Sequence, residues 1–277
     1  MPTAPLIEAH GAKIPQIGLG TMTLKDDVCV EAVKAALDIG YRHLDTAKFY
    51  DNEKAVGDGL KASGLKRDDV FVTTKIRHLD LKPDDFARAL DEQLRSLSLS
   101  QVDLLLIHWN NKDIPLKDSI GALCKAKKNG KTRHIGVANF TTALLDEAWA
   151  LTTEPLVCNQ IEVHPFINND KVIAASKKHG MAIVAYCPNV RGKATDTAPL
   201  ERIGKAHGKS WAQVALRYLV QQGMIPIPRT ATPAHLKENI EVFDFKLSDA
   251  EMAELKKLNA ANMRVVSPAW APVWDAA

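Results

Sequence analysis

Absences set the first bounds on function. Cysteine is scarce and scattered: Cys29, Cys124, Cys158 and Cys187 have no CxxC spacing, which excludes a zinc ribbon and points to buried thiols in a reducing compartment. No metal site is expected. Neither charge sign dominates, since 36 Lys and Arg against 33 Asp and Glu leave a net charge of +3, and no basic tract is long enough for a nucleic-acid binder. No run approaches the ~18 apolar residues of a membrane span. The N-terminal "MPTAPLIEAHGAKIP" lacks the charged-then-apolar pattern of a secretion signal. A cytoplasmic protein is therefore expected, bound to neither nucleic acid nor membrane. Without an exposed heptad or edge strand to drive assembly, a monomer is the default. Phosphate loops are missing too. "GLGTMT" supplies only the first two glycines of G-x-G-x-x-G, and "NGKT" (129–132) has Lys125 where a phosphate loop needs glycine.

What is present is an alternation of short apolar runs and amphipathic segments. "IPQIGLG" (14–20) reads as a strand and "DDVCVEAVKAALDIG" (26–40) as a helix ended by Gly40. "YRHLDT" (41–46) precedes a helix over 53–63, "VFVTTKI" (70–76) a helix opened by Pro83, and "VDLLLIHW" (102–109) a helix over 116–129. "RHIGVANF" (133–140) leads to a helix over 142–151, and "LVCNQIEVH" (156–164) to "NDKVIAASKKHG". "MAIVAYCP" (181–188) precedes a two-part helical region over 199–222, and "MIPIPR" (224–229) the helix "PAHLKENIEVF". Eight strand–helix units in 277 residues predict an α/β fold, a closed (β/α)₈ TIM barrel forming a single domain over 1–277. "PLIEAHGAKIP" predicts an N-terminal hairpin turning at His10-Gly11 beneath the barrel. "LSDAEMAELKKL" predicts an extra C-terminal helix, and "VVSPAWAPVWDAA" an aromatic C-terminal tail.

Active sites of such barrels lie at the C-terminal strand ends. Those ends carry Asp45, Lys75 and His108 on three consecutive strands, with Tyr50 in the loop after the first. A buried carboxylate is costly unless paired, and Lys75 is a partner for Asp45. A cation near Tyr50 also favours its phenolate, so a lowered pKa is expected for a tyrosine acting as general acid. His108 is placed to orient a carbonyl oxygen. With no nucleophile elbow or acid dyad at the rim, an acid ready to protonate oxygen needs a hydride from a cofactor.

Taken in order, "GYRHLDTAKFYDNE", "FVTTKI", "VDLLLIHW", "HIGVANF", "NQIEVHP", "AYCP" and "IPRTATPAHLKENIEVFDFKLS" resemble the successive signatures of the aldo-keto reductases, in the branch of the bacterial 2,5-diketo-D-gluconate reductases. The resemblance spans practically the whole chain. It implies NADPH-dependent reduction of an aldehyde or ketone, with Asp45, Tyr50, Lys75 and His108 as catalytic tetrad. It also implies a cofactor site. Asn139 and Gln160 match the carboxamide-holding amides, and Tyr186 the ring stacked on nicotinamide. Cys187, Asn189 and Arg191 match the pyrophosphate segment, and Arg229, Thr230, His235, Glu238 and Asn239 the adenosine 2′-phosphate pocket. Met22, Phe49, Arg77, Trp109, Trp270 and Trp274 are the expected substrate walls, with Arg77 either a cation for a substrate carboxylate or, equally, a solvated arginine at the start of a loop. Departures from the family pattern bear on specificity: Ala138 where serine is common, Met22 and Arg77 where aromatics are, Asn110 where proline is, and His235 where arginine is. The last implies that NADH is tolerated beside NADPH. Two other readings compete: a nucleotide-binding regulatory or structural protein on the same barrel, and an alcohol dehydrogenase working oxidatively.

Overall fold

The computed structural model describes residues 4–194 and 196–276; residues 1–3, 195 and 277 of the expected domain lie outside the described residues. The hairpin forms as expected, β1 (Leu6–Ala9) antiparallel to β2 (Ala12–Pro15). His10 and Gly11 both have positive φ, 47° and 82°, which gives a turn whose twist matches that of the strands.

Eight parallel strands follow: β3 (Leu19–Gly20), β4 (His43–Asp45), β5 (Phe71–Ile76), β6 (Val102–Ile107), β7 (Thr132–Ala138), β8 (Leu156–Glu162), β9 (Ala182–Tyr186) and β10 (Ile225–Pro226). Each pairs with the next in chain order. The backbone N–H groups of Gly18 and Gly20 donate to the carbonyls of Pro226 (3.1 Å) and Pro228 (3.0 Å), joining the last strand to the first. The sheet thereby closes into the (β/α)₈ barrel. The first barrel strand is shorter than the expected 14–20, because Ile14 and Pro15 pair within the hairpin and only Leu19 and Gly20 pair with β4. Its glycines have a steric reason. A Cβ on Gly20 would lie 2.8 Å from the Ile227 carbonyl oxygen, and one on Gly18 would lie 2.7 Å from His43 Nδ1. The closing seam needs bare backbone.

The crossover helices are α1 (Asp26–Asp38), α2 (Glu53–Ala62), α3 (Pro83–Leu97), α4 (Leu116–Lys128), α5 (Thr142–Leu151) and α6 (Asp170–Lys178). The two-part region is α7 (Ala198–His207) and α8 (Trp211–Gln221), broken by Gly208 at φ 66° and restarted by a capping box between Ser210 and Gln213. Then come α9 (Pro233–Ile240) and the expected extra helix α10 (Asp249–Lys257). Among the described residues no helix is long and apolar enough to cross a membrane.

Strand alternation splits the core in two. Leu105 and Ile107 of β6 pack outward under the helices, while Leu104 and Leu106 pack inside the barrel with Ala9, Ala12 and Ile14 of the hairpin. The hairpin is thus the apolar floor. One layer up the inward positions change character. Lys75 stands in register with Leu106, and Gln160 is two residues past the inward Cys158. Fold physics has set polar groups on an apolar stack, which is where the site begins.

Candidate active site

A cavity of about 440 Å³ opens at the C-terminal strand ends, walled by the strand loops and by the tail from Val265 to Trp270. Lys75 is fully buried beneath it, and its ammonium spends all three donors. It donates to Asp45 Oδ1 at 2.5 Å, to the Thr46 carbonyl at 2.8 Å and to the Tyr50 hydroxyl at 3.4 Å. The other Asp45 oxygen accepts from Gln160 Nε2 at 2.7 Å. The buried carboxylate therefore has its partner. Tyr50 ends a single 3₁₀ turn, Lys48–Tyr50, which Asp51 terminates at φ 51°. That turn brings the Tyr50 ring within 4.9 Å of Lys75 Nζ and edge-on to His108, with 5.6 Å between ring centroids. Of the four residues expected as a tetrad, Asp45, Tyr50 and His108 line the cavity and Lys75 lies beneath them.

Around them the amides interlock. Asn139 Nδ2 donates to the His108 carbonyl at 3.0 Å, and Asn139 Oδ1 accepts from the Tyr186 hydroxyl at 2.7 Å. Asn139 and Cys187 both take left-handed backbone at the strand ends, φ 62° and 51°. Asparagine tolerates this readily; cysteine there holds strain of order 1 kcal/mol or more. Arg191 Nε donates to Cys187 Sγ at 3.3 Å, and Arg191 also meets Met22 Sδ at 3.5 Å. Arg191 and Arg229 line the cavity with no carboxylate partner among the described residues, and so does Asn189, whose Oδ1 is buried without a donor. Thr230 is buried beside Arg229 and caps the turn into α9, its Oγ1 accepting from the Thr232 N–H at 3.0 Å. His235, Glu238 and Asn239 sit on α9 and do not line the cavity.

Met22, Phe49, Trp109 and Trp270 form cavity wall. Trp270 stacks on His78, with centroids 4.7 Å apart, and meets Phe49 at 6.2 Å. Trp274 stands behind the wall, edge-on to Trp109 at 6.0 Å and covered by the Arg264 guanidinium at 3.8 Å. Arg77 corrects the expectation of a free cation. Its guanidinium holds both oxygens of Asp80, three residues on, and it does not line the cavity.

The family model of the aldo/keto reductases matches residues 16–260. The chain belongs to the aldo/keto reductase family. A methylglyoxal reductase of Escherichia coli O157:H7 is 41% identical over 269 residues, covering 95% of this chain and 99% of the relative. A glyoxal reductase of Bacillus subtilis is 37% identical, covering 90% of this chain and 91% of its own. A solved structure provisionally assigned as 2,5-diketo-D-gluconic acid reductase B superposes with a TM-score of 0.96 at 42% identity, covering 99% and 98% of the two chains. A Bombyx mori aldo-keto reductase solved with NADP superposes at 0.90 with 33% identity, covering 96% of each chain. The chain thus falls in the 2,5-diketo-D-gluconate reductase-like branch.

Electrostatics of this site depart from the sequence reading at one point. The Tyr50 hydroxyl is not lowered: burial pushes its pKa above the ordinary value, and the nearby Lys75 ammonium only offsets part of that. Desolvation of a phenolate exceeds one neighbouring cation already shared with Asp45. For Lys75, burial pulls its pKa down, but Asp45 and Tyr50 outweigh it and hold the ammonium charged. His108 is driven well below the ordinary histidine value by burial and by Lys75, so it is neutral near pH 7. The sequence reading missed the supports. Asn52 ties two loops, accepting from Thr46 Oγ1 at 2.7 Å and donating to the Thr21 and Leu24 carbonyls. Glu53, buried behind Lys75, accepts from Thr74 Oγ1 at 2.6 Å and Gln93 Nε2 at 2.7 Å. They stand two and three residues after Tyr50 in "YDNE", and that closeness was the available signal.

Proposed function

We propose that the protein reduces aldehydes and ketones to alcohols with a nicotinamide cofactor, NADPH in preference to NADH, and that Tyr50 is the proton donor. The carrying observation is the Tyr50 hydroxyl held within reach of the charged, fully buried Lys75, on the wall of a cavity it shares with His108. The cofactor's chemistry fits the residues around that cavity. Two guanidinium groups without a carboxylate partner among the described residues, Arg191 and Arg229, suit a diphosphate, and the Tyr186 ring offers an apolar face beside Asn139 and Gln160. When bound, the nicotinamide supplies the hydride.

The chain's own part follows from its charges. Neutral His108 holds the carbonyl oxygen without adding a second cation beside Lys75. A raised pKa keeps Tyr50 protonated at neutral pH, so the acid is present before reaction. The alkoxide left by hydride transfer is a stronger base than phenolate, and the proton moves from Tyr50 to that oxygen. Lys75, fixed by Asp45, stabilises the phenolate left behind. The test is NADPH and NADH oxidation across aldehydes, α-keto esters, keto sugars and small dicarbonyls such as methylglyoxal. Cofactor binding without turnover on any of them would favour a binding protein on the same barrel instead.

The pocket's substrate wall is aromatic, and Arg77, the cation expected for a substrate carboxylate, is held by Asp80, so uncharged carbonyl compounds are the proposed class. Replacing Arg77→Ala is expected to change kcat/KM for a keto acid and for its ester alike, by less than about threefold. A loss confined to the acid would restore the carboxylate role.

Cofactor choice turns on α9. His235 is exposed there, six residues on from Arg229, and its side chain makes no hydrogen bond among the described residues. A 2′-phosphate is held best by guanidinium, which keeps its charge at every working pH. His235→Arg is therefore expected to tighten NADPH by about 1–2 kcal/mol, the scale of one charged hydrogen bond, and to leave NADH nearly unchanged. Dissociation constants from cofactor titration decide it; equal effects on both cofactors would remove His235 from the phosphate site.

A further inference from the structure

Another buried carboxylate, four strands along the sheet from Asp45, takes no part in the proton transfer. Glu162 ends β8 with no solvent exposure, beside an equally buried His164. Its Oε1 accepts from His164 Nε2 at 2.9 Å and from the Val265 backbone N–H at 2.6 Å; its Oε2 accepts from the Val266 N–H at 2.9 Å. Val265 and Val266 begin the tail and line the cavity. Nearby, Asn169 donates to the Glu162 carbonyl at 2.6 Å and accepts from Arg264 at 2.9 Å. The far end of the tail is also held, where both oxygens of Asp275 accept from the Thr142 N–H and hydroxyl at the start of α5. Between these two clamps runs the stretch carrying Trp270.

We propose that Glu162 is a positioning residue: it fixes the tail's backbone through paired N–H donors, with His164 orienting it, and thereby sets the substrate wall. The chemistry favours a carboxylate here. Three N–H groups converge on two oxygens, and a carboxylate is acceptor-only, whereas an amide would turn its own N–H against at least one of them. Such charge-assisted bonds to backbone are about twice as strong as neutral ones. Without them the stretch from Val265 to Trp270 still has Arg264 on Asn169 and the Met263 N–H on the Phe166 carbonyl before it, and the Trp274 indole N–H on Ser267, its ring contacts and the Asp275 clamp beyond, but it loses both backbone bonds at its head and its local opening becomes easier.

The test has a readout that does not depend on the proposed reaction. Arg264 is a trypsin site at the head of the tail, half-buried against Trp274 and Asn169. In Glu162→Gln, cleavage after Arg264, followed by mass spectrometry, is expected to accelerate about tenfold or more while other sites stay within about twofold. A second arm rests on the proposed reduction: KM for an aromatic aldehyde is expected to rise about tenfold, with kcat changed less than about threefold. Cleavage after Arg264 at the wild-type rate, or rising no more than at other sites, overturns the proposal. Should Glu162→Gln fail to fold, Glu162→Asp keeps the charge, withdraws the oxygens by one methylene, and carries the same expectation. A wild-type protein that reduces no carbonyl would sink the proposed function while the proteolysis result still decides the clamp.

Discussion

In Tyr50→Phe, kcat for carbonyl reduction is expected to fall by about 10²–10⁴-fold, the usual contribution of a positioned general acid. NADPH affinity should stay within about twofold, since the variant removes one hydroxyl and keeps the ring that packs edge-on to His108. The ammonium of Lys75 keeps its bonds to Asp45 and Thr46, so the site loses its proton donor and little else. Steady-state kinetics with a separate cofactor titration measure both. A variant that kept more than about a tenth of wild-type turnover would take the donor role away from Tyr50.

Lys75→Met should be as severe for turnover, and it should also destabilise the fold. It strands Asp45 as a buried charge whose remaining partner is the neutral Gln160 amide. Breaking one side of a buried pair costs about 3–5 kcal/mol. Removing both charges is different. Asp45→Asn combined with Lys75→Met is expected to recover most of that stability and none of the activity. Urea unfolding of the two single variants and the double variant closes the cycle. Additive losses would mean that the two groups do not act as a pair, and an active double variant would mean that Lys75 does not tune Tyr50.

The barrel and the converging rim residues were legible because both follow from short-range pattern. Strand–helix alternation forces a parallel sheet, and a titratable residue ending an inward-facing run has one place to go. The two-part helix before β10 and the His10-Gly11 turn were equally local. Other features were set by three-dimensional packing. The run 14–20 reads as one strand because Ile14, Ile17 and Leu19 recur along it, yet the hairpin takes its first half and the closing seam leaves room for two paired residues. Arg77 looked free in sequence, although Asp80 stands at a spacing that allows pairing. The sign of the Tyr50 shift depends on how deeply the ring is buried, and a nearby cation in the sequence carries no information on that. The hold of Glu162 on Val265 joins residues 103 apart, between a strand end and backbone N–H groups that no side-chain pattern marks.

The central claim is hydride transfer to a carbonyl carbon with the oxygen protonated from this cavity. Its most direct measurement uses NADPH deuterated at the transferable C4 position, incubated with methylglyoxal or an aromatic aldehyde, with the product read by mass spectrometry. One alcohol per NADPH oxidised is expected, carrying a single deuterium on the carbinol carbon, with labelled product forming about 10²–10⁴-fold more slowly in Tyr50→Phe. NADPH that binds tightly yet delivers no label to any carbonyl compound would contradict it.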